Sequence, residues 1–215
     1  MGQALAGLRR RGYVPEVVFD VGASDGRWTQ LAMTYWPGAT YFCFEPLQER
    51  ARELGVLSSR NQGRVVVYGC GLGDRDQELQ ICVKPHLDES SFAFSGDDVR
   101  TVPVRRLDSM LAQHRIPRPQ FLKVDVQGFE KRVLDGASSS LGSADLILLE
   151  CTFIPFCPEM RTLDAIVGDM SQRGFIPYEI VDVLRRPLDG AMGQCDMLFI
   201  RKGHDLISDH RWAAG

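Results

Sequence analysis

Four groups of residues in this chain combine types and spacings that do chemistry. The first is Val17-Val-Phe-Asp-Val-Gly-Ala-Ser-Asp-Gly26, an apolar run closing on Asp20, followed by Gly22, Ala23, Ser24 and Gly26. Glycines at the mouth of a helix let a charged ligand approach unpaired backbone N–H groups, and a carboxylate at the strand end accepts hydrogen bonds from an ammonium or hydroxyls. Asp20 is therefore expected to face the ligand. A dinucleotide turn carries three glycines after its strand; here an acid precedes only Gly22 and Gly26, and Asp20 and Asp25 would repel a pyrophosphate. An amino acid joined to a nucleoside, as in S-adenosylmethionine, suits the acids better. The bland alternative is a tight strand-to-helix connection.

The second group is Glu45, in Phe44-Glu45-Pro46. It follows Gly26 by about 19 residues, close to the spacing at which a nucleotide-binding unit sets an acid on the ribose hydroxyls. The third is Gly69-Cys-Gly-Leu-Gly-Asp74, where Gly71 and Leu72 could seat an adenine or merely form a loop. The fourth is Phe121-Leu-Lys-Val-Asp-Val126, which sets Asp125 near the carboxyl end of a strand, with Glu150 closing the next. Asp125 is the leading candidate to position cofactor or substrate. His86 is a candidate base, or an exposed loop histidine. Asp125 and Glu150 could instead share a divalent ion such as magnesium, although no metal-ligand spacing identifies one.

The elements that must position these residues read as β-α-β-α-β. Trp28, Leu31, Ala32, Tyr35 and Trp36 recur at helical spacing as core, and Pro37-Gly38 stops that helix. A strand over 40–44, a helix beginning at Pro46 and a strand over 64–68 follow, which implies parallel strands with right-handed crossovers. Segments 78–83 and 101–104 read as short strands bracketing a loop over 84–100, which carries His86, Asp88, Ser90, Ser91 and two phenylalanines and is expected to shape the substrate site. A helix over 107–114 leads to the Asp125 strand. The rest reads as a strand over 145–149, a helix over 162–172, an antiparallel pair over 175–184 and 195–201, and a frayed tail over 204–215. Residues 1–14 read as a helical cap on a single domain, with Arg9 to Arg11 at a solvated helix end.

With 215 residues and a formal net charge of −3, there is no electrostatic case for nucleic acid as the main partner. No apolar run reaches the roughly 20 residues of a membrane span, and the first residues lack a signal-peptide core. Six cysteines without a Cys-x-x-Cys pair argue against zinc and for a reducing, cytoplasmic setting.

The succession Phe-Asp-Val-Gly-Ala, Phe-Glu-Pro and Leu-Lys-Val-Asp-Val-Gln-Gly-Phe-Glu, with Arg106-Leu-Asp-Ser109 before the last, resembles the FkbM family of S-adenosylmethionine-dependent methyltransferases. The resemblance runs from about Gly12 to Lys202 and is most specific over 122–130. It implies an α/β class I methyltransferase (Rossmann-like) fold: a seven-stranded, mostly parallel sheet with an antiparallel last strand and helices on both faces. It also implies O-methylation of a hydroxyl on a small molecule, sugar or polyketide-type product. Asp20, Gly22 and Gly26 match the family's first cofactor motif, Glu45 its ribose acid and Asp125 the acid ending the fourth strand. Ser24-Asp25 depart from an expected small residue and asparagine, and Gln127 stands where glutamate is frequent. Two other readings remain: a NAD or nucleotide-sugar oxidoreductase, for which Glu45 is equally apt, and a non-catalytic cofactor-binding sensor or assembly protein.

Overall fold

The computed structural model describes residues 1–213 apart from 88–89, 94–95 and 157–159. Strands of four to eleven residues form the main sheet, and the alternation of apolar side chains along its central strands divides the core in two. In β1 (Val17–Val21) Val18 points to one face and Phe19 to the other, and the same split recurs in β2 (Thr40–Phe44), in β7 (Phe121–Val124) and in β8 (Leu146–Thr152). One face buries Leu5 and Leu8 of α1 (Gly2–Arg10), Ala32 of α2 (Arg27–Tyr35) and Leu54 of α3 (Ala51–Arg60). The other buries Met110 of α4 (Leu107–His114), Leu134 of α5 (Glu130–Gly136) and Met170 of α6 (Leu163–Gln172).

With β3 (Val65–Tyr68), β9 (Phe175–Arg185) and β10 (Met192–Arg201), these strands make a seven-stranded sheet ordered β3-β2-β1-β7-β8-β10-β9. Strands β1, β2, β3, β7 and β8 run parallel, and the last strand, β10, lies antiparallel between β8 and β9. This is the class I methyltransferase architecture. The order reverses between β1 and β7, and open α/β sheets bind ligands in the crevice beyond the carboxyl ends at such a point.

Three local expectations differ. Gly71–Leu72 is not a loop but strand β4, which joins β5 (Gln77–Cys82) and β6 (Val99–Arg105) in a separate three-stranded sheet ordered β4-β6-β5. The helix expected from Pro46 begins later, because Glu45 Oε1 accepts the Leu47 N–H at 3.0 Å and holds Leu47 extended; a 3-10 turn at Gln48–Arg50 then leads into α3. The tail forms a further 3-10 turn, Asp205–Ile207, capped by His204, whose Nδ1 accepts the Leu206 N–H.

No described helix is long and apolar enough to cross a membrane. The described cysteines, Cys43, Cys70, Cys82, Cys151 and Cys195, are free and buried; Cys157 lies outside the described residues.

Candidate functional site

A cavity of about 350 Å³ opens at the switch point. Its floor is the turn between β1 and α2, and two glycines allow that turn. Gly22, at φ +75°, passes so close to β7 that a Cβ there would stand 1.9 Å from the Asp125 carbonyl oxygen. Gly26, at φ +81°, would drive a Cβ to 2.7 Å from Leu57 Cδ2 of α3. The backbone contact requires glycine at 22, and at 26 the left-handed φ itself disfavours a side chain.

The turn does not hold its N–H groups free for a ligand. Gly22 and Ala23 donate to the Phe44 carbonyl at 3.0 and 3.2 Å, Gly26 donates to Ala23 O at 2.8 Å, and Ser24 N–H donates to Glu45 Oε2 at 2.9 Å. Ser24 takes φ +46° to do so. The backbone cradle expected from the sequence is therefore largely spent on tying β1 to β2. What it presents to the cavity is the Glu45 carboxylate, whose protonation burial favours and whose bonds from the Leu47 and Ser24 N–H groups oppose that rise.

Asp20 does not meet the cavity. It is wholly buried, accepting the Thr29 hydroxyl at 2.6 Å and the Lys123 ammonium at 3.0 Å. The registers of β1 and β7 set Asp20 directly beside Lys123, so the ammonium expected from a ligand is supplied from within. Sequence reasoning missed Lys123. A lysine between Leu122 and Val124 in an apolar strand was the available signal, because a buried lysine needs a partner. Burial disfavours its charge, but Asp20 and Asp125 more than offset this and hold the ammonium above the ordinary lysine range.

Asp125 stands at the mouth with its side chain 39% exposed, 3.5 Å from Lys123 Nζ. Gln127 Nε2 donates to its Oδ1 at 3.1 Å, and the same side chain opposes the rise in the Glu150 pKa. Glu150 lines the cavity from β8, and Asp196, its register partner on β10, lines it too. Burial, then repulsion from Asp125, Glu130 and Asp196, pushes Glu150 up to about 8. Burial and Asp125 push Asp196 up to about 6. Asp196 was invisible to motif reasoning because its strand returns antiparallel from far along the chain.

The Asp125 loop is held from two sides. Glu130 Oε1 accepts the N–H groups of Val126 at 3.3 Å and Gly128 at 3.0 Å. The buried Ser91 hydroxyl donates to Gln127 O at 2.5 Å while accepting the Ala93 N–H at 2.9 Å. Gln127 accepts φ +52° under these constraints.

Of the 84–100 segment, Leu87, Ser90 and Phe92 line the cavity. Asp88 and one of the two phenylalanines, Phe94, lie outside the described residues. His86 is exposed and does not line the cavity, so the structure does not bring this candidate base to the site. Gly71 and Leu72 do line it, on an apolar wall with Ile81 and Phe92. Among the described residues no three His, Cys, Asp or Glu side chains are placed to hold a metal ion, which leaves the shared-cation alternative for Asp125 and Glu150 without support.

The cavity thus has an apolar wall from Leu72, Ile81 and Phe92, the Glu45 carboxylate, and an acid end at Asp125, Glu150 and Asp196. The profile of the methyltransferase FkbM domain matches residues 20–177. The chain belongs to the FkbM methyltransferase family. Among curated relatives it is 27% identical over 135 residues to the hexuronic acid methyltransferase AglP of Haloferax volcanii, covering 63% of this chain and 55% of that one. It is 28% identical over 152 residues to the 2-O-methyltransferase NoeI of Sinorhizobium fredii, covering 62% of each. The chain therefore spans less than two thirds of these relatives' lengths. An FkbM methyltransferase structure from Methylobacillus flagellatus superposes with a TM-score of 0.56 at 18% identity, over 85% of this chain and 43% of that one. A Burkholderia thailandensis 1,6-didemethyltoxoflavin-N1-methyltransferase, solved with S-adenosylhomocysteine, gives 0.52 at 15% identity, over 93% and 76%. At these identities the two structures speak to the fold.

Proposed function

We propose that this FkbM protein transfers a methyl group from S-adenosylmethionine to a hydroxyl oxygen of a small molecule or glycan. One observation carries the reading: Glu45 and Asp125, from strands on either side of β1, face one cavity across a glycine turn that only close backbone packing explains.

The residues fit the cofactor. Glu45, fixed by two backbone N–H groups, has the acceptor capacity to take both ribose hydroxyls. Leu72, Ile81 and Phe92 offer an apolar wall to the adenine. When bound, the cofactor supplies an electrophilic methyl on a sulfonium. The chain's part is to hold an acceptor oxygen about 3 Å from that methyl and in line with it, which supplies much of the rate. Asp125, the cavity acid at the mouth, orients the acceptor hydroxyl and takes its proton as the carbon–oxygen bond forms. Lys123 steadies the Asp125 carboxylate while staying bound to Asp20. The hexuronic acid in the name of AglP supports a sugar acceptor, and the 2-O-methyltransferase name of NoeI supports an oxygen as the methylated atom.

Isothermal titration with S-adenosylhomocysteine, with NAD as control, tests the reading. Micromolar binding of the first alone is expected; binding of NAD alone overturns it. Transfer of labelled methyl to uronic acid and neutral sugar acceptors, unaffected by a chelator, then tests the oxygen acceptor and the absence of a metal requirement.

A further inference from the structure

A second cavity, of about 260 Å³, lies between α5 and α6, at the small end of ligand sites. Successive residues of β8 separate it from the cofactor crevice: Leu148 lines the crevice and Leu149 the second cavity, and their side chains point to opposite faces of the sheet. Gly128, Phe129 and Glu130 line it, so the end of the 122–130 stretch that the crevice leaves unused is what builds it. Among the described residues Phe92 alone lines both cavities. Its ring meets that of Phe129 with centroids 4.9 Å apart, and the floor is completed by Leu134, Leu149 and Ile166.

The acids of this cavity are already answered. Both oxygens of Asp169 accept from Arg173, at 3.1 and 3.4 Å. Glu130 holds the Val126 and Gly128 N–H groups, and burial pushes it up to about 7, which leaves it partly neutral at neutral pH. Two of the cations are not answered. Arg132 stands 3.7 Å from Asp74 Oδ1, beyond hydrogen-bond reach, and that oxygen has no hydrogen-bond partner among the described residues. Arg161 donates to Ala165 O at 3.2 Å, and its approach to Asp169 is likewise 3.7 Å. A guanidinium carries five N–H donors, so both arginines keep donors to spare on one cavity. The third cation, Lys131, is spent on Asp135 at 2.6 Å.

We propose that this cavity binds an organic carboxylate with a flat apolar body, an aromatic acid, at a place separate from the cofactor. The body rests on Phe129, Leu149 and Ile166, and the carboxylate faces Arg132 and Arg161. A planar guanidinium matches a carboxylate with two parallel hydrogen bonds. Arg132 is kept at the edge of the floor by lying over the Phe129 ring, 5.2 Å from its centroid. An aromatic floor with cations at its rim favours a ring that carries an anion over a neutral ring or a bare anion.

The site stands without the methyltransferase reading but bears on it. Glu130 belongs to the wall of this cavity and also holds the loop that carries Asp125, through the Val126 and Gly128 N–H groups. An occupant is therefore one side chain away from the acid at the mouth of the crevice.

The experiment follows para-fluorobenzoate and its uncharged counterpart para-fluorobenzamide by fluorine NMR, titrated against the protein with and without excess S-adenosylhomocysteine. Saturable binding of the acid is expected, about fivefold or more tighter than the amide and unchanged by S-adenosylhomocysteine. Arg132→Gln and Arg161→Gln each weaken the acid about fivefold and leave the amide as it was, with urea midpoints reporting that both variants fold. Ile166→Trp, which fills the floor without touching a charge, excludes acid and amide alike. Equal binding of the two probes, displacement of the acid by S-adenosylhomocysteine, indifference to both arginine variants, or no binding of the acid overturns the site. Binding of the acid by a protein that does not take S-adenosylhomocysteine overturns the methyltransferase reading and leaves this site standing.

Discussion

Asp20 and Glu45 invite comparison, because each is an acid at or near the end of one of two adjacent parallel strands and each matches a cofactor position of the family. Their fates are opposite. Asp20 sits beside Lys123 in the β1–β7 register and is closed off by that lysine and Thr29. Glu45 accepts hydrogen bonds from two backbone N–H groups, with the charges of Lys123 and Arg50 nearby, and keeps its carboxylate on the cavity wall. The difference teaches that a strand-end acid meets a ligand only where the neighbouring strand does not answer its charge. Asp20 builds the site indirectly, by fixing the ammonium that steadies Asp125 and the Gly22 carbonyl.

The largest effect should come from breaking the buried side of that comparison. Lys123→Met leaves Asp20 uncompensated in the core and is expected to cost about 3 to 5 kcal/mol in urea unfolding. Adding Asp20→Asn to it should recover most of the loss, since a neutral pair needs no counter-charge; a double variant no more stable than the single one would mean that Lys123 acts through Asp125 instead. The exposed side should respond in binding. Glu45→Ala is expected to weaken S-adenosylhomocysteine by about 1 to 3 kcal/mol in calorimetry, the scale of hydrogen bonds to a charged group. Unchanged affinity would remove Glu45 from the ribose site.

The smallest effect separates the two regions by pH. Glu150 is pushed from 4.5 to about 8 on folding, so the folded chain binds the extra proton and stability falls as pH rises between those values. Asp196 slopes the same way from 3.8 to about 6. The raised Lys123 acts elsewhere, its contribution being present below the ordinary lysine range and lost only as pH rises above it. Glu150→Gln should flatten the unfolding profile between about pH 5 and 8 and leave the alkaline limb unchanged, as read by urea midpoints across pH.

Much of this was legible in the chain because the parallel strands are short apolar runs with acids and glycines at their ends. Those patterns located β1, β2, β3 and β7 and put Glu45, Gly22 and Asp125 in one crevice. What was hidden depends on pairing between distant segments. The partner of Asp20 lies over a hundred residues away, and Asp196 reaches the site only because β10 inserts beside β8. The helix α5, seven residues long and opening on Glu-Lys-Arg, is too short and too charged to announce itself by periodicity. His86 drew notice by residue type alone, and no neighbouring residue pattern tied it to the cavity.

Gln127 has a consequence for how the acid end is wired. Its amide donates to Asp125 and opposes the rise in the Glu150 pKa, so it stands as a neutral splice between two repelling carboxylates. It does so from a backbone conformation, φ +52°, that an unbranched side chain tolerates at a cost of about 1 to 3 kcal/mol. A glutamate at this position would be equally long but could only accept, turning the splice into a third negative charge between two others. The difference between an amide and an acid at one residue thus sets whether the cavity's acid end holds carboxylates joined through a neutral donor or a cluster of mutually repelling oxygens that needs a counter-ion to come together.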